Sequence, residues 1–226
     1  MMDNFENMVN LVPINYYTSI LDGGAYDYNI KKMFIHKKGI DYSKLKMTEE
    51  GRYSITKPFD GVVIIKHIKS IVGNNLIDLD ITDLTGNVGG DTILFAMHFR
   101  KVYSIEINDD NYDALQNNVM VYKLNNVKLF KGDSTKLYKW KTDILYMDPP
   151  WGGPDYKQYD KIDLYLGSIR VDKFIKYIIK KDWKPSYIFM KLPSNYNFDR
   201  LYKLIETSKI HIWTIRTYKL ICIDLK

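Results

Sequence analysis

The segment from Asp148 to Tyr156, DPPWGGPDY, carries the residue types and spacing best suited to chemistry. Its prolines fix the backbone and remove N–H donors, so the carbonyl groups of Asp148 and Pro149 stay free to accept hydrogen bonds. A planar exocyclic amine needs such acceptors, because its lone pair is delocalised and charge develops on its nitrogen as a new bond forms. Trp151 offers a face on which a base can stack. We therefore predict a site for a nucleobase amine, with Asp148, Pro149 and Trp151 as its catalytic residues.

Three other polar features each follow a predicted strand. The segment from Asp83 to Thr92, DLTGNVGGDT, contains glycines that allow a sharp turn close to a ligand, and it leads into a helix whose N-terminus attracts a carboxylate. Glu106 can accept hydrogen bonds from both hydroxyl groups of a ribose, and Asp133 can accept one from an adenine amino group. Because ligands of parallel sheets bind beyond the carboxyl ends of the strands, we expect these features to meet at one edge.

This combination of strand-end features resembles the signature of S-adenosylmethionine binding. A dinucleotide enzyme would carry a closer G-x-G-x-x-G motif, a phosphate-binding loop would carry Gly-Lys followed by Ser or Thr, and the sequence has neither. We therefore predict S-adenosyl-L-methionine as cofactor, with S-adenosyl-L-homocysteine as its product. The predicted cofactor-binding residues are Thr56, Asp83, Thr85, Gly86, Gly89, Glu106, Asp133 and Asp148.

The elements that must position these residues alternate between helices and strands from Thr56 onward. Thr56 is a predicted N-cap, with Pro58 in the first turn of the helix that follows. Strands are predicted at 76–82, 101–107, 127–131, 143–147, 187–191, 210–216 and 219–225. Further helices are predicted at 91–99, 111–124, 171–181 and 198–206.

This alternation predicts an α/β fold, because each crossover between parallel strands has to return over a face of the sheet. The last two strands are separated by almost nothing and should form an antiparallel hairpin. The expected architecture is a Rossmann-like class I methyltransferase with a mostly parallel, seven-stranded sheet. Residues 56–226 are predicted to form this domain, and residues 1–55 a small N-terminal extension or substrate-side subdomain.

The composition limits the classes of partner. A length of 226 residues suits one enzyme-sized unit, and a net charge of +6 suits a polyanionic partner such as RNA. No apolar run approaches the roughly 18 residues of a membrane span, and the first residues lack a signal-peptide pattern. We expect a monomeric intracellular protein, cytoplasmic or nuclear, that does not bind membranes. The sequence does not show which basic residues contact phosphates; the candidates near the amino end are Lys31, Lys32, Lys37, Lys38 and Arg52.

The cysteine and histidine residues predict no metal site. The single cysteine, Cys222, excludes an internal disulfide and a cysteine-rich metal site. The histidines show no spacing typical of metal ligands, and methyl transfer to an amine needs no metal. The histidines are His36, His67, His98 and His211.

DPPWGGPDY closely resembles the SPPWGGPDY-type motif of trimethylguanosine synthases, the RNA cap guanine-N2 methyltransferases. The resemblance covers most of the chain from about Arg52, where RYSITKP looks like the segment entering the catalytic domain, and FMKLPSN looks like a later strand. It implies methyl transfer to N2 of the 7-methylguanosine cap of RNA. Trp151 would stack on the methylated base, whose positive charge adds cation–π attraction. The implied substrate-binding residues are Trp151, Pro154, Asp155, Tyr156 and Asn195.

Two positions depart from the pattern of the cellular cap enzymes. Asp148 stands where they often have Ser, and Asn87 stands where they commonly have Gly. Asp at the first position is common in other amino-methyltransferases, including ribosomal guanine-N2 and adenine-N6 enzymes. The compact length and the composition, typical of an AT-biased genome, look like a viral or protist version of these enzymes. If the protein is viral, we expect it in the viral factory of a host cell.

Two other functions stay open on the sequence alone. The first keeps the chemistry and changes the substrate, giving an N2-guanine or N6-adenine methyltransferase that acts on internal bases of RNA or DNA. The long WGGPDY continuation disfavours it, because Asp-Pro-Pro-aromatic would suffice there. The second is a catalytically inactive methyltransferase fold that binds RNA. The presence of Glu106, Asp133 and Asp148 disfavours it, and S-adenosylmethionine binding would separate the two.

Overall fold

The strands form one large sheet and one small hairpin. The computed structural model describes residues 30–204 and 209–226. The strands are β1 Asp80–Asp83, β2 Lys101–Glu106, β3 Val127–Lys131, β4 Ile144–Met147, β5 Tyr165–Leu166, β6 Ile169–Arg170, β7 Tyr187–Pro193, β8 Lys209–Ile215 and β9 Tyr218–Asp224. The α-helices are α1 Glu49–Ser54, α2 Pro58–Val72, α3 Gly90–Ala96, α4 Asp109–Val121, α5 Ser134–Leu137, α6 Val171–Ile178 and α7 Phe198–Tyr202.

The large sheet has seven strands in the order β3-β2-β1-β4-β7-β9-β8. Its pairs are parallel from β3 to β7, whereas β9 runs antiparallel to both β7 and β8. The predicted fold class, a mostly parallel sheet that ends in an antiparallel hairpin, is confirmed. This order brings the carboxyl ends of β1, β2, β4 and β7 to one edge, where their following residues can form a site.

Helices cover both faces of the sheet. Every residue of β4 and β7 is buried, as expected for central strands with helices on either side. On one face, Leu145 and Met147 pack in a cluster with Phe174 of α6. On the other face, Ile144 and Tyr146 pack with α2 and α3. Because successive side chains alternate between faces, the four residues of β4 supply both clusters and fix the strand between them.

A third apolar cluster joins the described part of the N-terminal extension to α4. Met33, Phe34 and Leu45 are buried there against Leu115 and Val119. A polar contact adds to this packing, because the amide of Asn118 exchanges hydrogen bonds with the backbone N–H and carbonyl of Lys46 at 2.8 Å each. The predicted boundary between residues 55 and 56 stays a prediction.

The structure corrects the predicted start of two elements. Thr56 is not an N-cap, since the helix begins at Pro58 with Lys57 as its cap, and the Thr56 hydroxyl donates to Asp91 instead. The first strand begins at Asp80 rather than at residue 76, because Leu76–Asp78 form a 3₁₀ turn. Apolar residues in such a turn mimic the start of a buried strand, which the sequence pattern does not distinguish.

Several short elements differ from the sequence prediction. Helix α1 was not predicted; its six residues are too few to show a helical period, although Thr48 caps it by accepting from the N–H of Gly51. The β5–β6 hairpin was also not predicted. Helix α6 ends at Ile178 and α7 ends at Tyr202, both earlier than predicted. Residues 205–208, part of the predicted last helix, lie outside the described residues.

Candidate active site

The loop after β1 is packed too closely for side chains at its glycines. A Cβ atom at Gly86 would lie 2.5 Å from Ser104 Oγ and 2.8 Å from Leu115 Cδ2. Gly89 has a φ of 103°, in the left-handed region that favours glycine, and a Cβ there would lie 3.0 Å from Leu115 Cδ1. The loop is therefore a cradle that leaves its outer side to a ligand and directs it to the N-terminus of α3.

Glu106 closes β2 beside this loop and is only 7% exposed. Its carboxylate accepts from the backbone N–H of Asn87 at 2.6 Å and from that of Asn108 at 2.7 Å. Burial raises the pKa of Glu106, and these two hydrogen bonds oppose the rise. Each oxygen has two lone pairs, so acceptor capacity remains for the two hydroxyl groups of a ribose. This arrangement fits the role predicted for Glu106.

Asp83 and Thr85 lie beneath the loop. Asp83 is fully buried and accepts from the N–H of Thr85 at 3.0 Å and from the hydroxyl of Thr92 at 2.7 Å. Burial, with the nearby carboxyl of Asp91, raises the pKa of Asp83 to about 7. The hydroxyl of Thr85 accepts from the N–H of Asp148 at 2.8 Å. These two residues support the loop, and Thr85 fixes it to the segment after β4.

Asp133 serves as the N-cap of α5. One of its oxygens accepts from the N–H and the hydroxyl of Thr135, at 2.9 and 2.6 Å. Burial raises the pKa of Asp133, but these bonds and the ammonium of Lys136 outweigh it, so that the pKa is lowered. The turn of the β5–β6 hairpin lies against the other oxygen, since a Cβ at Gly167 would be 2.9 Å from it. The predicted contact of Asp133 with an adenine amino group stays a prediction.

An ion pair lies at the start of the DPPWGGPDY segment. The ammonium of Lys191, in β7, donates to Asp148 Oδ2 at 2.6 Å and to the hydroxyl of Thr56 at 2.9 Å. Both charged side chains are largely buried, with exposures of 8% for Lys191 and 15% for Asp148. Burial raises the pKa of Asp148, and the adjacent Lys191 ammonium opposes that rise. Burial lowers the pKa of Lys191, but the carboxyls of Asp148 and Asp91 together outweigh burial, so that the pKa is raised.

The sequence prediction missed Lys191. A signal was present, because Lys191 interrupts the otherwise apolar run FMKLP of a strand that had to be central. Lysine is almost never fully buried unless it is paired, so its position in such a strand demanded a carboxylate partner. The sequence did not show which carboxylate that would be.

The ion pair continues into a buried polar network. The hydroxyl of Thr56 donates to Asp91 Oδ2 at 2.8 Å, and the hydroxyl of Tyr146 donates to the same oxygen at 3.3 Å. Burial raises the pKa of Asp91 to about 6, against the opposing charge of Lys191. Asp91 Oδ1 and the hydroxyl of Tyr218 are buried without a hydrogen bond to any described residue. The network thus has polar atoms left to bind water or a ligand.

Trp151 lies half-buried between the two main apolar clusters. The ring of Tyr156 meets it edge-on at a centroid distance of 5.1 Å, and the ammonium of Lys191 lies 5.5 Å from its centroid. Its Nε1 is buried and makes no hydrogen bond to a described residue. Trp151 is therefore an aromatic wall beside the Asp148 carboxylate, and its predicted stacking on a base stays a prediction.

The other predicted substrate residues form the turn beyond Trp151. Asn195 fixes this turn, because its Nδ2 donates to the carbonyls of Tyr156 and Tyr159 at 2.8 Å each. Its Oδ1 is buried and has no hydrogen-bond partner among the described residues. Asp155 is exposed and accepts from Gln158 at 3.0 Å. Pro154 begins the 3₁₀ turn, and its side chain lies outside the described part of the structure.

Lys37, one of the five predicted basic residues, is held away from this edge. The ammonium of Lys37 donates to the carbonyl of Tyr122 at 2.7 Å, just past the C-terminal end of α4 and away from the carboxyl ends of the strands. Lys31 lies 5.7 Å from the ring centroid of Tyr42. Arg52 lies exposed on α1.

Neither a metal site nor a membrane span is found in the described ranges. Within residues 30–204 and 209–226, no three His, Cys, Asp or Glu side chains are grouped so that they would hold a metal ion. In the same part of the chain, no helix has the length and apolar character needed to cross a membrane.

The sheet order and the glycine loop define a Rossmann-like methyltransferase fold. Among solved structures, a precorrin-6y C5,15-methyltransferase from Geobacter metallireducens matches 82% of this chain and 96% of its own at a TM-score of 0.58 and 13% identity. The 16S rRNA N2 G1207 methyltransferase of T. thermophilus, solved with AdoMet and guanosine, matches 73% of this chain and 42% of its own. The TM-score of this match is 0.57 and the sequence identity is 13%. At this identity the likeness establishes the fold.

The sequence itself shows the family. The family model described as RNA cap guanine-N2 methyltransferase matches residues 79–220, more than half of the chain. The chain belongs to this family, and the resemblance seen in its motifs is confirmed. Family and fold together imply S-adenosylmethionine as the methyl donor.

The chain matches part of the length of two relatives. It is 28% identical to the trimethylguanosine synthase of Saccharomyces cerevisiae over 214 residues, which are 88% of this chain and 65% of the relative. It is 33% identical to the uncharacterized protein L320 of Acanthamoeba polyphaga mimivirus over 149 residues, which are 64% of this chain and 58% of the relative. The chain thus spans less than two thirds of the length of either relative.

Proposed function

We propose that this protein transfers a methyl group from S-adenosylmethionine to the exocyclic N2 of the 7-methylguanosine cap of RNA. One observation carries the proposal: in a member of the cap guanine-N2 family, the half-buried Trp151 stands beside the Asp148–Lys191 ion pair at the carboxyl end of β4. An aromatic wall next to a carboxylate suits a stacked base that presents an amine.

The cofactor half of the site fits S-adenosylmethionine. The glycine cradle at Gly86 and Gly89 admits a ligand where side chains would clash, and Glu106 retains lone pairs for ribose hydroxyl groups. Asp133 at the end of β3 is proposed to face the adenine. When bound, the cofactor supplies a methyl group on a positively charged sulfur, which an amine can attack.

The acceptor half holds the attacking amine. The Asp148 carboxylate and the carbonyl of Pro149 accept hydrogen bonds from the amine, and they stabilise the positive charge that develops on its nitrogen. Trp151 fixes the plane of the base, and the Thr85 hydroxyl holds the backbone of Asp148 against the cofactor loop at 2.8 Å. These contacts reduce the freedom of the reacting groups before bond formation.

A pair of cap analogues tests the proposal. The protein is incubated with labelled S-adenosylmethionine and a dinucleotide cap analogue that either carries or lacks the 7-methyl group, and methylation at N2 is read by mass spectrometry of the nucleoside. We expect much faster transfer to the 7-methylated analogue, because its positive charge adds cation–π attraction to stacking. Equal transfer to the two analogues would remove the cap as substrate.

One observation favours a second function, methylation of internal guanine N2 or adenine N6. Asp148 gives the segment the Asp-Pro-Pro start that is common in amino-methyltransferases acting on internal bases. Uncapped RNA and single-stranded DNA in the same assay address this function. Transfer to those substrates but not to the cap analogues would replace the first proposal by the second. Cofactor binding without transfer to any substrate would favour an RNA-binding role.

A further inference from the structure

Lys191 is given no role of its own in the reaction proposed above, yet it lies at the centre of the acceptor half. It is 7% exposed, and its ammonium donates to Asp148 at 2.6 Å and to Thr56 at 2.9 Å. The rings of Trp151 and Tyr218 lie beside it, with centroids 5.5 and 5.3 Å from Nζ. Two hydrogen bonds and two aromatic rings thus hold this long side chain in one place.

The groups around Lys191 are rich in carboxyls. Asp148 faces it from the loop that follows β4, Asp91 from α3, and Asp60 from α2. The Arg216 guanidinium is 3.6 Å from Asp60 and more than half exposed, so among the described residues Lys191 is the buried cation of the cluster. The titratable groups that face Asp148 and Lys191 from the surrounding elements are Asp60, Asp91, Tyr146, Tyr156, Tyr218 and Arg216.

We propose that Lys191 is a positioning residue for methyl transfer, which holds the carboxylate of Asp148 in place and keeps it ionised for the acceptor amine. The inference rests on the proposed transfer to a base amine. Lys191 acts through Asp148, because its ammonium binds Oδ2 of that residue while the carboxylate addresses the substrate.

The charge of Asp148 matters because the acceptor amine is a hydrogen-bond donor. An ionised carboxylate accepts hydrogen bonds at both oxygens, whereas a protonated one presents an O–H donor. The O–H of a protonated Asp148 would face the N–H of the amine, so that two hydrogen-bond donors would meet. The neutral carboxyl would also not stabilise the positive charge that develops on the nitrogen. Burial favours the protonated form of Asp148, and the adjacent ammonium of Lys191 favours the ionised form.

The test measures how turnover of the full chain depends on pH. Activity requires ionised Asp148 and is lost as the pH falls through the pKa of that carboxyl. Lys191→Met removes the cation and raises this pKa, so activity should be lost at a higher pH, with the acidic limb of kcat shifted upward by about 1 to 3 pH units. Lys191→Arg keeps the charge and should return the limb toward its wild-type position. Lys219→Met, a change at a β9 lysine that packs on Phe198, should leave the profile unchanged.

A carboxyl NMR titration tests the same inference without turnover. Protein labelled with ¹³C at aspartate carboxyls is titrated, and the Asp148 signal is assigned with Asp148→Asn. The pKa of Asp148 should be higher in Lys191→Met than in wild type, while calorimetry shows the same affinity for S-adenosylmethionine. An unchanged pKa and an unchanged profile in a variant that binds the cofactor would overturn the inference, as would a kcat loss equal at every pH.

A reciprocal measurement covers the case in which Lys191→Met does not fold. An ion pair shifts both partners, so Asp148→Asn should lower the pKa of the Lys191 ammonium by about 1 to 3 units, read from its ¹⁵Nζ signal. No change would contradict the pairing. If wild type methylates no base although the titrations show the coupling, the proposed function fails and the ion pair stands. If wild type methylates the cap and the titrations show no coupling, the further inference fails alone.

Discussion

The two halves of the site are held together by different kinds of contact. In the cofactor half, carboxylates accept hydrogen bonds from backbone N–H groups nearby in the sequence: Glu106 from positions 2 and 19 residues away, and Asp133 from a position 2 residues away. In the acceptor half, the side chain of Lys191 binds the side chains of Asp148 and Thr56, which are 43 and 135 residues away.

This difference separates what each half contributes. The cofactor half is a backbone cradle, so a change in one of its side chains should alter cofactor affinity and leave the chemistry of bound substrates largely intact. The acceptor half is a buried network of charges, whose protonation depends on the whole cluster. Changes there should alter turnover and its dependence on pH more than they alter cofactor affinity.

The largest expected effect falls on turnover in the acceptor half. Asp148→Ala should lower kcat by about 10²- to 10³-fold, because it removes a preorganised acceptor for the charge that develops on the amine. Calorimetry should show nearly unchanged S-adenosylmethionine affinity. Asp148→Asn is the matched control, because it keeps the shape of the side chain. Both variants leave the buried Lys191 charge without its partner, and urea unfolding measures the resulting loss of stability separately from turnover. Equal losses of affinity and turnover would show that the two halves are not separable.

The next effect falls on affinity in the cofactor half. Glu106→Ala should weaken S-adenosylmethionine binding by about 1.5 to 3 kcal/mol, or roughly 10- to 150-fold, because hydrogen bonds from ribose to a charged acceptor are lost. At saturating cofactor, kcat should change far less. Glu106→Gln keeps one acceptor oxygen, so its affinity for S-adenosylmethionine should lie between those of wild type and Glu106→Ala. An unchanged dissociation constant would place the ribose away from the end of β2.

A smaller effect concerns selectivity for the methylated base. Trp151→Ala should reduce the preference for the 7-methylated cap analogue by about 2- to 30-fold, which corresponds to a cation–π attraction of about 0.5 to 2 kcal/mol. Trp151→Phe should keep part of the preference. The ratio of kcat/KM for the two analogues is the measurement, since any general loss of packing cancels in it. A preference that survives in Trp151→Ala would assign base recognition to another residue.

The smallest effect is on stability, and it concerns the pH dependence of the free energy of unfolding that a carboxyl of the cofactor half contributes. Asp83, beneath the cofactor loop, has its pKa raised from 3.8 to about 7 in the folded chain. The folded state therefore binds a proton that the unfolded state releases, and the free energy of unfolding gains about 1 kcal/mol from this carboxyl as the pH falls from 7 to 6. Asp83→Asn should remove that gain.

The Asp83 measurement is a difference between two proteins. The pKa of His98 is lowered from 6.5 to about 4 by burial, so this histidine costs stability as the pH falls below 6.5 and acts against Asp83. His98 is present in both wild type and Asp83→Asn, and subtracting the two unfolding curves at each pH removes its contribution. Parallel curves between pH 6 and 7 would show that Asp83 stays ionised beneath the loop.

The sequence allowed prediction of the cofactor half because each feature follows its own strand. The loop at Gly86 and the acid at Glu106 need only the strand assignment and the rule that parallel strands end at one edge. The sequence did not predict which carboxylate pairs with Lys191. Asp60, Asp91 and Asp148 were all candidates, and only the folded sheet selects among them. The described part of the extension, residues 30–55, lacked a readable period because it consists of short 3₁₀ turns and one six-residue helix.

The packing of the extension on α4 has a consequence for cooperativity. Met33, Phe34 and Leu45 cover one side of that helix, and Asn118 binds the backbone of Lys46 from it. A chain shortened to residues 56–226 would lose the apolar packing of Met33, Phe34 and Leu45 and both of those bonds. We therefore expect residues 30–55 to melt in one transition with the sheet, and limited proteolysis of the folded protein to leave the 55–56 junction uncut. We expect the segment to behave as an integral layer of the domain, so that a substitution in the helix it covers would destabilise the extension as well.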